Sequence, residues 1–239
     1  MEADAMPDGA PCLRLMGHEL RTPLNAIIGF SDILAQGLAG PVTSEQERQL
    51  RMVGDAGRQL LLLIDDMMEL AKAQAGALNL ANEPVDPSWV LSECVERTLR
   101  LAESRGARVK LVSPADPITF VADPLRTRQA FENMVVAALR LVADCTLSLT
   151  AEVNQDGTTV EFCINGLSAG AEAQAVTRVF DVDDADVRAN PGPSDGVELG
   201  LCLSRAYARA MGGTISSRRS PAGSSDVAVL SLPLTPNGI

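Results

Sequence analysis

Apolar and small residues near the start of the chain recur in steps of four and three, at Leu13, Gly17, Leu20, Leu24, Ile27, Ser31 and Leu34. That alternation is the seam of a helix in a bundle, and it predicts a helix over 13–36 that stops at Gly37 and Gly40-Pro41. The pattern restarts behind Ser44 and Glu47, which have capping-box spacing, and repeats at Leu50, Val53, Gly57, Leu60, Ile64, Met67 and Ala71 before Gly76. Two long amphipathic helices on a short loop make a hairpin with little core of its own. Pairing two hairpins gives a four-helix bundle, so a two-fold homodimer is expected.

Beyond a linker at 76–83 the period changes. Helices are predicted over 87–105, 123–143 and 199–211, the second entered through Asp123-Pro124 as cap and first-turn proline. Strands are predicted over 109–112, 119–122, 147–153, 159–164, 214–218 and 226–232, with a hairpin turn at Asn154-Gln155-Asp156-Gly157. A polar stretch over 181–195 reads as a loop. The fold class is α+β: a helical hairpin over 12–76, after a disordered tail at 1–11, and an α/β sandwich over 83–236.

Composition adjusts this picture only in part. The chain has 239 residues, with Lys+Arg 20 against Asp+Glu 31, and a net charge of -11 argues against a nucleic-acid partner. No apolar run reaches the ~20 residues that span a bilayer. The start resembles no targeting peptide. No membrane sensor is therefore expected within the chain, and the expected location is cytoplasmic. Cys12, Cys94, Cys145, Cys163 and Cys202 lie far apart, with no CxxC pair and one histidine to assist. No metal site is expected, and Cys163 and Cys202 read as small core residues.

That one histidine is His18. It lies one step past the seam, so its imidazole is expected to face water. Arg21 at i+3 and Thr22 at i+4 share its stripe, and Glu19 is adjacent in sequence. A neutral imidazole beside a carboxylate can attack through one nitrogen while the carboxylate holds the other nitrogen's proton.

The run His18-Glu19-Leu20-Arg21-Thr22-Pro23-Leu24 resembles the phosphoacceptor motif, the H box, of two-component sensor histidine kinases. The resemblance implies that His18 is phosphorylated, with Glu19 as acid–base partner, Arg21 beside them and Thr22 positioning water during phosphatase action. Pro23 removes one backbone donor just after the histidine. Gly196-Val197-Glu198-Leu199-Gly200-Leu201, Ser204-Arg205, Met211-Gly212-Gly213-Thr214-Ile215 and Leu232-Pro233-Leu234 resemble the ATP-binding domain of the same family, of Bergerat type.

That second resemblance implies nucleotide-site positions at Asn133, Arg140, Gly166, Gly196 and Gly200, but its chemistry departs from the pattern. The position that supplies an asparagine to Mg²⁺ is Ala137, and a methyl cannot coordinate a hard cation. Ile164 stands at the aspartate that binds adenine, and Ser168 at a glycine. A one-residue shift would place Asn165 at the aspartate instead. Glu198 replaces a glycine where backbone approaches phosphates.

Each lost partner costs ~1–3 kcal/mol, and three approach the ~8 kcal/mol of a micromolar ligand. The expectation is a histidine phosphotransferase or pseudokinase. It would exchange a phosphoryl group between His18 and the aspartates of response-regulator receiver domains, which bring their own Mg²⁺. No resident cofactor is expected on this chain, and its second unit is not expected to use ATP. The alternative is an ATP-dependent, autophosphorylating histidine kinase.

Overall fold

The computed structural model describes residues 9–114, 116–142, 144–167, 179–181, 197–219 and 226–235, and for 9–16 and His18 the backbone only. The chain divides into two compact units, Met1–Ala77 and Leu78–Ile239.

The first unit is a helical hairpin of α1 (Gly9–Ala35) and α2 (Ser44–Gln74). The expected tail at 1–11 falls mostly outside the described residues, and its last three positions, 9–11, are helical. Helix α2 is capped one residue earlier than its sequence suggests. Thr43 is extended (φ -73, ψ 158), its hydroxyl accepts from the Gln46 N–H, and the Gln46 side chain accepts from the Thr43 N–H. The spacing Thr43–Gln46 satisfies the capping box as well as Ser44–Glu47 does, and the extended backbone at Thr43 decides between them.

The seam resolves into two columns. In α1, Gly17, Leu24 and Ser31 are buried against α2, while Leu20, Ile27 and Leu34 are exposed. In α2, Gly57 is buried while Val53, Leu60 and Met67 are exposed. Glycine selects the inward column, because it lets the helices approach. A Cβ on Gly57 would sit 2.8 Å from Ile28 Cγ1, and one on Gly17 would sit 2.9 Å from the Met68 side chain. Each outward column repeats every seven residues, the period of a second helix–helix seam.

Among the described residues, the second unit layers three long helices on a mixed sheet. Its helices are α3 (Pro87–Ser104), α4 (Pro124–Leu141) and α5 (Val197–Ala210), with α4 packed against both others. Its strands are β1 (Glu83–Val85), β2 (Arg108–Leu111), β3 (Phe120–Ala122), β4 (Thr146–Val153), β5 (Thr159–Leu167), β6 (Thr214–Arg219) and β7 (Asp226–Pro233). Five of them form one sheet in the order β2-β4-β5-β7-β6, with β2 parallel to β4 and the remaining pairs antiparallel. Strand β1 lies at the end of the expected linker and pairs antiparallel with β3. The expected loop at 181–195 lies outside the described residues except for Asp181.

Asp123 caps α4 through its carboxylate, which accepts from the Arg126 N–H at 2.9 Å, with Pro124 in the first turn. The core is apolar and aromatic: the Phe162 ring of β5 contacts Phe131 of α4 at 5.4 Å and Phe120 of β3 at 5.8 Å. Phe162 thus faces the helices, and by strand alternation Ile164 does too, whereas Glu161, Cys163 and Asn165 face the other side.

Cys94 is enclosed between α3 and α4, and burial pushes its thiol up to about 12, with the Glu132 carboxylate adding to the shift. The folded-state value lies above the unfolded 9.0, so the stabilisation is complete below pH 9 and fades as pH rises toward 12. Between pH 8 and 10.5 this thiol is expected to remove about 2 kcal/mol of stability. Urea midpoints across that range check it: they should fall more for the wild type than for Cys94→Ala.

Candidate functional site

His18 lies in α1 one residue past the buried Gly17, and five before Pro23. Pro23 has no N–H to offer the Glu19 carbonyl, so one rung of the helix ladder is missing beside the histidine. The expectation that the imidazole faces water concerns a side chain outside those described. Glu19, Arg21 and Thr22 are exposed.

Arg21 is held from the other helix. Its Nε and Nη2 both donate to Asp65 Oδ1 of α2, at 3.0 and 2.6 Å. No local sequence signal marks Asp65, because its contact with Arg21 spans 44 residues. It opens an acidic run on α2. Asp66 beside it is pushed above the usual carboxylate range by burial, with Asp65 and Glu69 adding to the effect. Lower on the hairpin, Arg58 bridges Asp32 of α1 and Asp55 of its own helix, each at 3.0 Å.

In the second unit the nucleotide-site positions divide. Asn133 and Gly200 meet, with Asn133 Nδ2 donating to the Gly200 carbonyl at 3.3 Å. Ser204 Oγ lies 2.9 Å from both the Gly200 and Ala130 carbonyls, which fastens α5 to α4. Arg140 sits in the last turn of α4, half-buried. Gly166 has φ +93, and a Cβ there would come within 2.3 Å of the Thr146 carbonyl, so backbone packing against β4 accounts for this glycine. Gly196 and Ser168 lie outside the described residues, while Glu198 occupies the first turn of α5.

Ala137 and Ile164 are both wholly buried. Asn165 points away from the helices, its amide donating to the Ser148 carbonyl and Thr150 Oγ1 of β4, each at 3.3 Å. Neighbouring strand residues face opposite sides, so Asn165 and Ile164 present to different surfaces of the sheet. At neither position does a side chain offer oxygen to a metal or a donor–acceptor pair to a purine. Among the described residues, Ala137 and Ile164 offer no ligand atom to Mg²⁺.

On the far side of the sheet Glu152, Glu161 and Cys163 bring three ligand-type atoms together. The Arg218 guanidinium pairs with Glu152 at 2.9 Å and Glu161 at 2.7 Å, and its charge stands where a cation would. Among the described residues no helix is long and apolar enough to cross a membrane.

A hairpin presenting this H box is a phosphoacceptor domain in architecture, and residues 12–76 match the family described as His Kinase A (phospho-acceptor) domain. The chain is 32% identical over 226 residues to virulence sensor protein BvgS of Bordetella bronchiseptica, covering 91% of this chain and 18% of that protein. It is 31% identical over 216 residues to sensor protein TorS of Escherichia coli, covering 87% of this chain and 22% of that protein. Among solved structures, full-length ShkA in complex with AMPPNP matches with a TM-score of 0.74 at 25% identity, over 96% of this chain and 47% of that one. The chain spans about a fifth of the length of the curated relatives it matches. It belongs to the two-component sensor histidine kinase family.

Proposed function

We propose that this chain works in a phosphorelay as a histidine phosphotransferase whose second unit is a pseudokinase. One imidazole nitrogen of His18 attacks the phosphorus of a receiver's aspartyl phosphate. The P–O bond breaks with its electron pair leaving on the aspartate, and a P–N bond forms. Glu19 takes or holds the proton of the other nitrogen, and the reverse step delivers the group to a second receiver. Thr22 positions water when the group is instead lost by hydrolysis. The receiver supplies Mg²⁺, so the exchange needs no metal from this chain.

The observation that carries the reading is the burial of Ala137 and Ile164 where a kinase needs oxygen ligands for metal and adenine. Phosphoryl transfer from ATP depends almost wholly on the metal and on positioning. The outward columns of the hairpin support a homodimer, in which two hairpins close one bundle. A second reading, ATP-dependent autophosphorylation, is favoured by the likeness to ShkA, which was solved with AMPPNP.

Labelled ATP with Mg²⁺, and separately a receiver domain charged with labelled acetyl phosphate, decide between them. Label is expected on the chain from the receiver and not from ATP. Label from ATP would establish the second reading.

A further inference from the structure

We infer that the Arg21–Asp65 ion pair is a charge switch: Arg21 leaves Asp65 for the phosphoryl group once His18 carries one. The inference rests on the phosphorelay reading and adds to it a residue on α2. Arg21 follows His18 by three positions, so it is about 4.5 Å further along the helix axis on the same stripe of surface. A guanidinium there can reach a group carried by His18. In the unphosphorylated chain it is engaged by Asp65 across the hairpin, through Nε at 3.0 Å and Nη2 at 2.6 Å.

Relative strengths favour the exchange. Both partners are exposed, with side-chain exposure of 48% and 40%, and such a pair shifts an equilibrium by at most about fivefold. A phosphoryl group brings about two negative charges and three acceptor oxygens, which suit the planar fork better than one shared carboxylate oxygen. Asp65, left behind, remains in water, where an unpaired carboxylate costs little. The rung missing at Pro23 leaves α1 free to bend between Glu19 and Pro23, the interval that holds Arg21.

Opposite signs test the switch. Asp65 competes with the phosphoryl group for Arg21, so removing it should stabilise phosphohistidine, and removing Arg21 should do the reverse. The full chain is loaded with phosphoramidate, whose P–N bond breaks to release ammonia as the P–N bond to the imidazole forms. Loss of phosphohistidine to water is then followed by phosphorus NMR. Asp65→Asn should lengthen the half-life about fivefold and Arg21→Gln should shorten it by a similar factor. Asp55→Asn, on the same helix but paired with Arg58, should leave it unchanged.

A structural pair would lower the melting temperature in both variants and move the half-life the same way or not at all, and that result overturns the switch. A lengthening by Asp55→Asn equal to that of Asp65→Asn would also overturn it, since bulk charge would then suffice. Should Asp65→Asn fold poorly, Asp65→Ser removes the same charge. If the wild-type chain accepts no phosphoryl group from phosphoramidate or a charged receiver, the phosphorelay reading itself falls. If it does accept one and the variants move together, only the switch falls.

Discussion

His18→Ala is expected to abolish phosphoryl incorporation, from a charged receiver or from ATP alike, by at least ~1,000-fold, the scale on which a lost nucleophile acts. The chain has no second imidazole, so no neighbouring ring can take over. The substitution should leave the fold intact, because position 18 lies inside α1 and alanine is the strongest helix former. Helical circular dichroism and the dimer mass would therefore match the wild type while the acid-labile label vanishes. Label that persists in this variant would place the phosphoryl group on another residue and remove the ground for a phosphorelay role. A Glu19→Gln variant should retain the nucleophile and lose only the proton partner, so its rate should fall by ~10²-fold without being abolished.

The hairpin was legible because its signals are local: a periodic seam, an N-cap and a motif of consecutive residues. The cap shows the limit of such reading, since Thr43–Gln46 and Ser44–Glu47 satisfy one rule and only the extended φ and ψ of Thr43 separate them. The seam shows another. An alternation of fours and threes joins two heptad columns, and which column turns toward the other helix depends on how closely the backbones approach. Gly17 and Gly57 carried that signal in the sequence, as small residues among leucines.

In the second unit, Glu83-Pro84-Val85 is too short for any period, and it becomes a strand only by pairing with Val121 and its neighbours. The choice between Ile164 and Asn165 was open in the sequence. Register separates the two: the Phe162 contact with α4 fixes which side of β5 faces the helices, and Asn165 falls on the other. Asp65 was invisible for a different reason. Nothing in the run Asp65-Asp66 says which carboxylate meets Arg21 from the facing helix.

The outward columns lead to the second large effect. Leu20→Glu and Leu60→Glu are each expected to convert a homodimer into monomers, raising the dissociation constant more than ~1,000-fold. Leu20 and Leu60 are 48% and 50% exposed on the single hairpin, with Ile27 and Val53 exposed one heptad away along the same columns. Burying a leucine contributes ~1.5–3 kcal/mol, and two-fold symmetry counts every substitution twice. A glutamate would have to be desolvated or protonated there, so the same change both removes apolar burial and adds a charge penalty. Met52→Glu is the control, because Met52 is exposed on α2 yet lies outside the column and should leave the dimer in place. Leu24→Glu is the contrast: Leu24 is buried against α2, so that charge should unfold the hairpin rather than divide it. Sedimentation at micromolar concentration, with helical content measured on the same samples, separates the three behaviours. A dimer that survives Leu20→Glu and Leu60→Glu together would mean that those columns face something other than a second copy of the chain.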